Sequence, residues 1–441
     1  MALPDRAPDT IGLPMTHHPT DRSYRALLAV PALGRILLGM GLARVAQSMV
    51  AIALVLFTLT EYHSPELAGL VTFASIFPGI AISPIAGVLL DRHGRIRLMI
   101  FDYVVAAAAL VVIAGLASAH ALPPWLLVLI ATVMSLTSIF SAVGLRTLFP
   151  LIVPRHLWER ANALDSNGYV VASILGPPIA ASLVAIGGGP WALLAIAALF
   201  GLTALSMVGV HDPLTEVTAT GTLLGDAMEG IVYVWRNRTL RGLGISVSVL
   251  NLTGGMTTIV VPLLVLHQIG TNEAIVGLMF AISGVSGMVS ALLFGRIDTR
   301  GREWVMLVLP PFGYAAAVAL VLPVALAAPA GDPGAFDPVL GLALIGAAQL
   351  LVGLVNGPYD IALFTVRQRR TDPAWLGRAF AISMGFNFAG FPIGAALSGI
   401  IAANSLAGAV ALGIGACVAG GILTAVLIPA RDPATEAPPR R

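Results

Sequence analysis

The chain has 441 residues, of which 57% are hydrophobic and only 10% charged, with a formal net charge of +2. A water-soluble protein carries about 25% charged residues. This apolar surplus can only be hidden in lipid, which makes the chain an integral membrane protein and leaves soluble classes without support. All 24 basic residues are arginine, and a chain without lysine has no Walker A loop, so it is not driven by its own ATPase of that type.

Residues 1–30 are rich in Pro, Asp, His and Thr and read as a mobile cytoplasmic tail, not a secretory signal, with Met15 an alternative start. Twelve apolar stretches long enough to span a bilayer as helices follow, near 35–59, 68–90, 98–119, 123–146, 166–187, 190–210, 242–266, 274–297, 304–328, 339–365, 379–401 and 407–429. The fifth and sixth, and the eleventh and twelfth, are separated only by tight turns at 187–190 and 404–406.

Arginine orients these spans. Alternate connections carry Arg92, Arg95 and Arg97; Arg146, Arg155 and Arg160; Arg236, Arg238 and Arg241; Arg296, Arg300 and Arg302; and Arg367, Arg369, Arg370 and Arg378. The opposite connections, at 60–67, 120–122, 187–190, 267–273, 329–338 and 402–406, carry no arginine and hold Glu61, Glu66, Glu273, Asp332 and Asp337. Both termini are therefore expected in the cytoplasm.

The chain also repeats itself. Asp91, Gly94 and Arg95 recur as Asp298, Gly301 and Arg302 at an offset of 207, and Arg160-Ala161-x-Ala163 recurs as Arg378-Ala379-x-Ala381 at an offset of 218. Two parallel six-span halves, 31–210 and 242–429, are expected. The linker 211–241 places Leu224, Ala227, Met228, Ile231 and Trp235 on one helical stripe, which fits either a helix on the inner membrane face or a plain spacer. A short cytoplasmic tail, 430–441, ends the chain.

The loop Gly87-x-Leu89-x-Asp91-Arg92-x-Gly94-Arg95, with twelve spans in two halves, resembles the loop between helices 2 and 3 of the major facilitator superfamily. The segments RANALDSNGYVVASILGPPIAA (160–181) and EGIVYVWRNRTLRGLG (229–244) resemble its macrolide-efflux and siderophore-export branch. Gly176-Pro177 resembles the helix-5 element of proton antiporters, with Ala172, Ala180 and Ala181 where glycines are common; Gln47 stands where relatives often carry an acid. The resemblance implies an all-α fold in a bacterial inner membrane and export of amphipathic or apolar small molecules in exchange for protons. It also implies a cytoplasmic gate, in which Asp91 docks near the helix that starts at Arg378, and Asp298 near the helix that starts at Arg160. Arg92, Gly94, Arg95, Gly301 and Arg302 belong to the same gate, and Thr299 in place of Arg92 implies a weaker second latch.

Several polar residues fall inside the spans. Arg44 lies about 15 Å into the first, at 1.5 Å per residue, too deep to reach the interface easily. It suits substrate or proton coupling or a structural ion pair, with Gln47 on the same face. Asn356 and Asp360 flank Gly357-Pro358, which should kink the tenth span; Asp360 could exchange a proton, or pair at the rim with Arg146 or Arg367. Asp102 and Asp165 are further coupling candidates, though each reads more readily as a helix-start cap or gate partner. Asn251, Gln349 and Asn387 suit interhelical hydrogen bonds. Tyr169, Phe386, Phe388 and Phe391 suit packing or a cavity wall, and Cys417 helix packing. The histidines make no metal-ligand pattern, and no cofactor is implied. No metalloprotease, nucleophile-elbow or phosphate-loop motif marks an enzyme. Besides substrate, protons and lipid, no partner is expected, so the protein reads as a monomer. Import of a metabolite or lipid, or a non-transporting receptor or scaffold, stay open as alternatives.

Overall fold

The computed structural model describes residues 27, 30, 33–154, 157–210, 223–296, 301–372 and 375–430. Among them the regular structure is helical throughout. Ten helices are long and apolar enough to cross a membrane; Asn167–Met207 is two spans joined end to end, and Glu303–Ala319 is a shorter apolar helix. Counted so, the expected twelve spans are present.

The first span is α1 (Leu33–Glu61). The second breaks into α2 (Pro65–Ala74) and α3 (Phe77–His93). Ser64 starts α2 by accepting a hydrogen bond from the Leu67 amide, with Pro65 at the first helical position. Pro78, near the start of α3, has no N–H to continue the helix before it, so Ile76 leaves helical geometry at φ −128°. A reading by hydropathy alone makes 68–90 a single helix; the proline divides it. Gly94, at φ 89°, turns the chain into α4 (Arg95–Ser118). Its repeat partner Gly301 has the same left-handed backbone, at φ 76°.

Then come α5 (Pro124–Ile152) and α6 (Trp158–Met207), whose two legs meet at Gly188, φ 78°. Helix α7 (Leu223–Arg236) joins the halves. Asn237 caps α8 (Arg238–Leu263), which runs on through a π turn, Leu264–Gln268. After α9 (Glu273–Phe294), the ninth span divides into α10 (Glu303–Ala319) and α11 (Leu322–Leu326), with Pro323 opening the second piece. The chain ends with α12 (Pro338–Arg369), α13 (Leu376–Ala402) and α14 (Leu406–Leu427).

Small residues bring these helices together. In the second half α8 crosses α13 backbone to backbone: a Cβ on Gly255, Gly390 or Gly394 would strike the carbonyl oxygens of Phe391, Ser248 or Leu252. In lipid there is no hydrophobic drive between helices, so such close van der Waals contact supplies the cohesion.

Between the halves the same device acts at the arginine-poor end. Gly69 of α2 and Gly399 of α13 leave no room for a side chain on either, and Gly277 of α9 sits against Pro178 and Ala181 of α6. Val55, Leu59 and Ala68 of the first half form one apolar cluster with Ile259, Leu263 and Ala395 of the second. Toward the arginine-rich end α7 touches both α3 and α13. Tyr233 stacks on Trp375 at 4.9 Å, and Asn237 Nδ2 donates to the Arg370 carbonyl at 3.0 Å. Of the α7 stripe, Met228 and Trp235 are exposed and Ile231 is half-buried, whereas Gly230 and Val234, off the stripe, are buried.

Overpacking a tight crossing costs about 1–3 kcal/mol or more. Gly390→Leu is therefore expected to lower the melting temperature clearly in detergent, while Gly201→Ala, with nothing within 4 Å of the new methyl group, should leave it unchanged or slightly raised. Equal shifts in a thermal melt would contradict this packing.

Candidate functional site

Polar side chains collect at mid-depth in two clusters, one in each half. In the first half, Gln47 lies midway along α1, exposed, and its Nε2 donates to Ser141 Oγ of α5 at 3.3 Å. Arg44, one turn earlier, holds its guanidinium 5.7 Å from the centre of the Tyr169 ring, a cation–π distance. Asp102 is 2% exposed and takes hydrogen bonds from Ser141 and Thr137 of α5. It stands in the second turn from the start of α4 and caps nothing: the cap position is Gly94, with no side-chain cap bond. The helix-start reading of Asp102 is thus replaced by a buried carboxylate that shares Ser141 with Gln47. Gln47 thus has a cross-helix partner while its side chain remains exposed.

In the second half, Asn356 Nδ2 donates to Asp360 Oδ2 at 2.9 Å. Asp360 accordingly bonds along its own helix. Tyr314 and Tyr359 lie within electrostatic reach of Asp360, and Cys417 within reach of both tyrosines; Thr253 Oγ1 is 3.2 Å from Cys417 Sγ. Gly357, between Asn356 and Asp360, packs directly on Ser290 and Ala291 of α9. Pro358 is accommodated inside a helix that continues to Arg369.

One residue of this region was read otherwise in the sequence. Arg367, grouped with the topology-setting loop arginines, is fully buried. Its Nη1 lies 2.7 Å from Met384 Sδ of α13, and its guanidinium is 5.9 Å from the Phe364 ring centre. Nη2 donates to the Asn387 side-chain oxygen, with that amide oriented so that its nitrogen reaches the Ser383 carbonyl at 3.0 Å. Asn251 Nδ2 of α8 in turn donates to the Asn387 carbonyl at 2.8 Å. This ties three spans together and bears out the expected interhelical roles of Asn251 and Asn387. Gln349 reaches the Met279 carbonyl at 3.5 Å. Arg367 escaped notice because the tenth span runs four residues past its apolar stretch, drawing the arginine one turn inward.

Of the gate residues, Arg92 is exposed, Arg95 and Arg160 are half-buried, and Arg302 is exposed at the start of α10. The side chains of Asp91, Asp165 and Arg378, and all of Asp298 and Thr299, lie outside the described residues. Nearby, Arg369 pairs with Glu303, and Arg370 Nη1 donates to the Pro429 carbonyl at 2.8 Å. Gly176 is buried against Ser48 of α1, a close helix approach that any side chain would obstruct, with Pro177 beside it. Tyr169, Phe386 and Phe388 are exposed.

Two six-span halves, each with a mid-depth polar cluster, sealed against each other at one end, make the bundle of a secondary transporter. The chain belongs to the Major Facilitator Superfamily, whose profile matches residues 36–347 and, in a second match, 243–441. An MFS-type transporter of Sinorhizobium fredii is 36% identical over 386 residues, covering 87% of this chain and 92% of the relative. Multidrug efflux pump Tap of Mycobacterium tuberculosis is 26% identical, covering 77% of this chain and 80% of its own. Macrolide efflux protein A of Streptococcus pyogenes is 22% identical, covering 82% and 87%. Among solved structures, the nucleoside transporter NupG superposes with a TM-score of 0.70 over 90% of this chain and 99% of its own, at 14% identity, a likeness of fold.

The two arginines in the last turn of α12, two residues apart, should respond differently to removal. Arg367→Met leaves a buried acceptor unsatisfied and is expected to cost about 1–3 kcal/mol, whereas Arg369→Met removes a partly exposed pair worth about 1 kcal/mol or less. Thermal melts of the two purified variants check this; equal losses would contradict the burial of Arg367.

Proposed function

We propose that this protein exports amphipathic or apolar small molecules, drug-like or siderophore-like, by alternating access and in exchange for protons. The observation that carries the reading is the exposure of Gln47 and Asn356 at mid-span in a bundle whose halves are sealed at the arginine-poor end. By the arginine asymmetry that sealed end faces outward, both termini are cytoplasmic, and the polar space opens toward the cytoplasm, where an exporter loads. The scarcity of charge inside the spans suits a weakly charged substrate. Relatives named for macrolide and multidrug efflux support the export direction.

In this reading Asp360 is the proton carrier, because it is a carboxylate at mid-depth whose bond from Asn356 can be released on protonation. Arg44, Gln47 and Asp102 form the facing polar wall, and Asp165 stands at the cytoplasmic rim. Gly176-Pro177 lets the fifth span slide on the first. Asp91, held by the Gly94 turn, latches the cytoplasmic side in the alternate state against the helix start at Arg378, with Arg92 and Arg95 flanking it. Asp298, Gly301 and Arg302 form the second latch opposite Arg160. The protein works as a monomer in a bacterial inner membrane and catalyses no covalent chemistry.

Two experiments test this. In cells lacking other pumps, ethidium and erythromycin accumulation is expected to fall on expression of the protein and to rise again with a protonophore; Asp360→Asn should cut efflux by about tenfold or more, within the usual range of coupling energies, with normal membrane levels. Efflux indifferent to the protonophore would contradict proton exchange. Separately, Asp91→Asn is expected to impair efflux more than Asp298→Asn, and equal effects in the same assay would contradict the unequal latches.

A further inference from the structure

Outside the apolar seal lies a cavity of about 440 Å³ shared by the two halves. Its walls include Leu59, His63 and Glu66 of the first half and Leu263, His267 and Gln268 of the second. Leu59 and Leu263 also belong to the seal itself, so the cavity floor is the contact that must part for the bundle to open outward. Both imidazoles are exposed to the cavity and lie within electrostatic reach of each other. The chain has eight histidines, and two of them line this cavity from opposite halves.

Their backbones hold them there. His63 has φ 52°, a left-handed conformation uncommon for a residue with a side chain, between the end of α1 and the Ser64 cap of α2. His267 sits in the π turn that ends the seventh span, and its carbonyl accepts from the Ala330 amide at 3.1 Å. A π turn inside a helix often marks a functional position.

We propose that His63 and His267 form an outward-facing proton-binding pair that opens the seal. Imidazole is the side chain whose ordinary titration falls between pH 5 and 8. When both rings are charged, two cations face each other across the interface; they repel least when the halves separate and water fills the gap. Protonation therefore favours the open form, and falling external pH shifts the equilibrium outward. Glu66, on the first-half wall, accepts a hydrogen bond from Ser64 and would attract a charged His267 across the interface, so the switch requires the repulsion between the two rings to exceed that attraction. Glu61 lies 3.9 Å from His120, on the first-half side, and Tyr62 donates to the Leu122 carbonyl. Asp332 lies in the same loop as Ala330, and the turn between α13 and α14 contributes Asn404 and Ser405, neither charged. Glu66 is the carboxylate among the residues that line the cavity.

The inference rests on the alternating-access reading, and its control with erythromycin rests also on the substrate class proposed above. The test uses full-length protein with Cys417→Ala and spin labels at Ala121→Cys and Ala335→Cys, exposed loop positions of the two halves. Distances are measured in nanodiscs between pH 8 and pH 5.5. A long-distance component is expected to grow on acidification, by about tenfold in the open-to-closed ratio for each pH unit if opening takes up one proton. The combination His63→Asn with His267→Gln should abolish that growth, while His120→Asn should retain it. Asparagine tolerates the left-handed backbone at residue 63, and a long component induced in the double variant by erythromycin would show that it still folds and moves. An unchanged acid response in the double variant overturns the proposal. A distance that never lengthens, with acid or with erythromycin, overturns alternating access and this inference together.

Discussion

The contact on which the rest of the structure depends is the seal between the halves at the arginine-poor end. It is made from the absence of side chains. Gly69 and Gly399 let two helices from different halves touch backbone to backbone, Gly277 does the same against Pro178 and Ala181, and the apolar cluster around Leu59 and Leu263 fills the space between. Such an interface holds by dispersion over a close fit, and among the described residues no hydrogen bond crosses it. It can separate and re-form as a unit, which is what two halves rocking against each other require.

The polar residues are distributed to complement this seal. Lipid penalises every unpaired polar group, so those at mid-depth are either bonded across helices or face a polar space. Asn251, Asn387 and Arg367 take the first course and hold spans 7, 10 and 11 in one body. Gln47 bonds across to Ser141 of span 4, and Asn356 and Asp360 bond along their own helix. The second half is thereby stiffened internally by its polar bonds, while its contact with the first half stays apolar. Cohesion within the second half and contact between the halves come from different kinds of interaction.

Much of this is legible in the sequence, for physical reasons. Apolar length and arginine asymmetry are imposed by the bilayer on every span, so the count of spans and the repeat were readable, and Gly94 and Gly301 share the left-handed turn that their equivalent positions imply. Asn251 and Asn387 were legible because an amide in hydrocarbon has few alternatives to an interhelical bond. What hydropathy does not carry is where a helix ends relative to its apolar stretch. Arg367 reads as a loop residue until α12 is seen to continue past it, and Asp102 reads as a cap until α4 is seen to begin at Arg95. The division of the second span at Ile76 was within reach, since Pro78 marks it. The pairing of His63 with His267 was not, because residues more than two hundred positions apart meet only through the packing of the halves.

The most direct measurement is a reversible cross-link across the seal. With Cys417 replaced by alanine, Leu59→Cys and Leu263→Cys place one thiol on each half within the same apolar cluster. If the seal must part in every cycle, oxidation should abolish efflux of ethidium and reduction should restore it, with either single cysteine variant unaffected by oxidant. Efflux that continues at full rate in fully cross-linked protein would contradict the account.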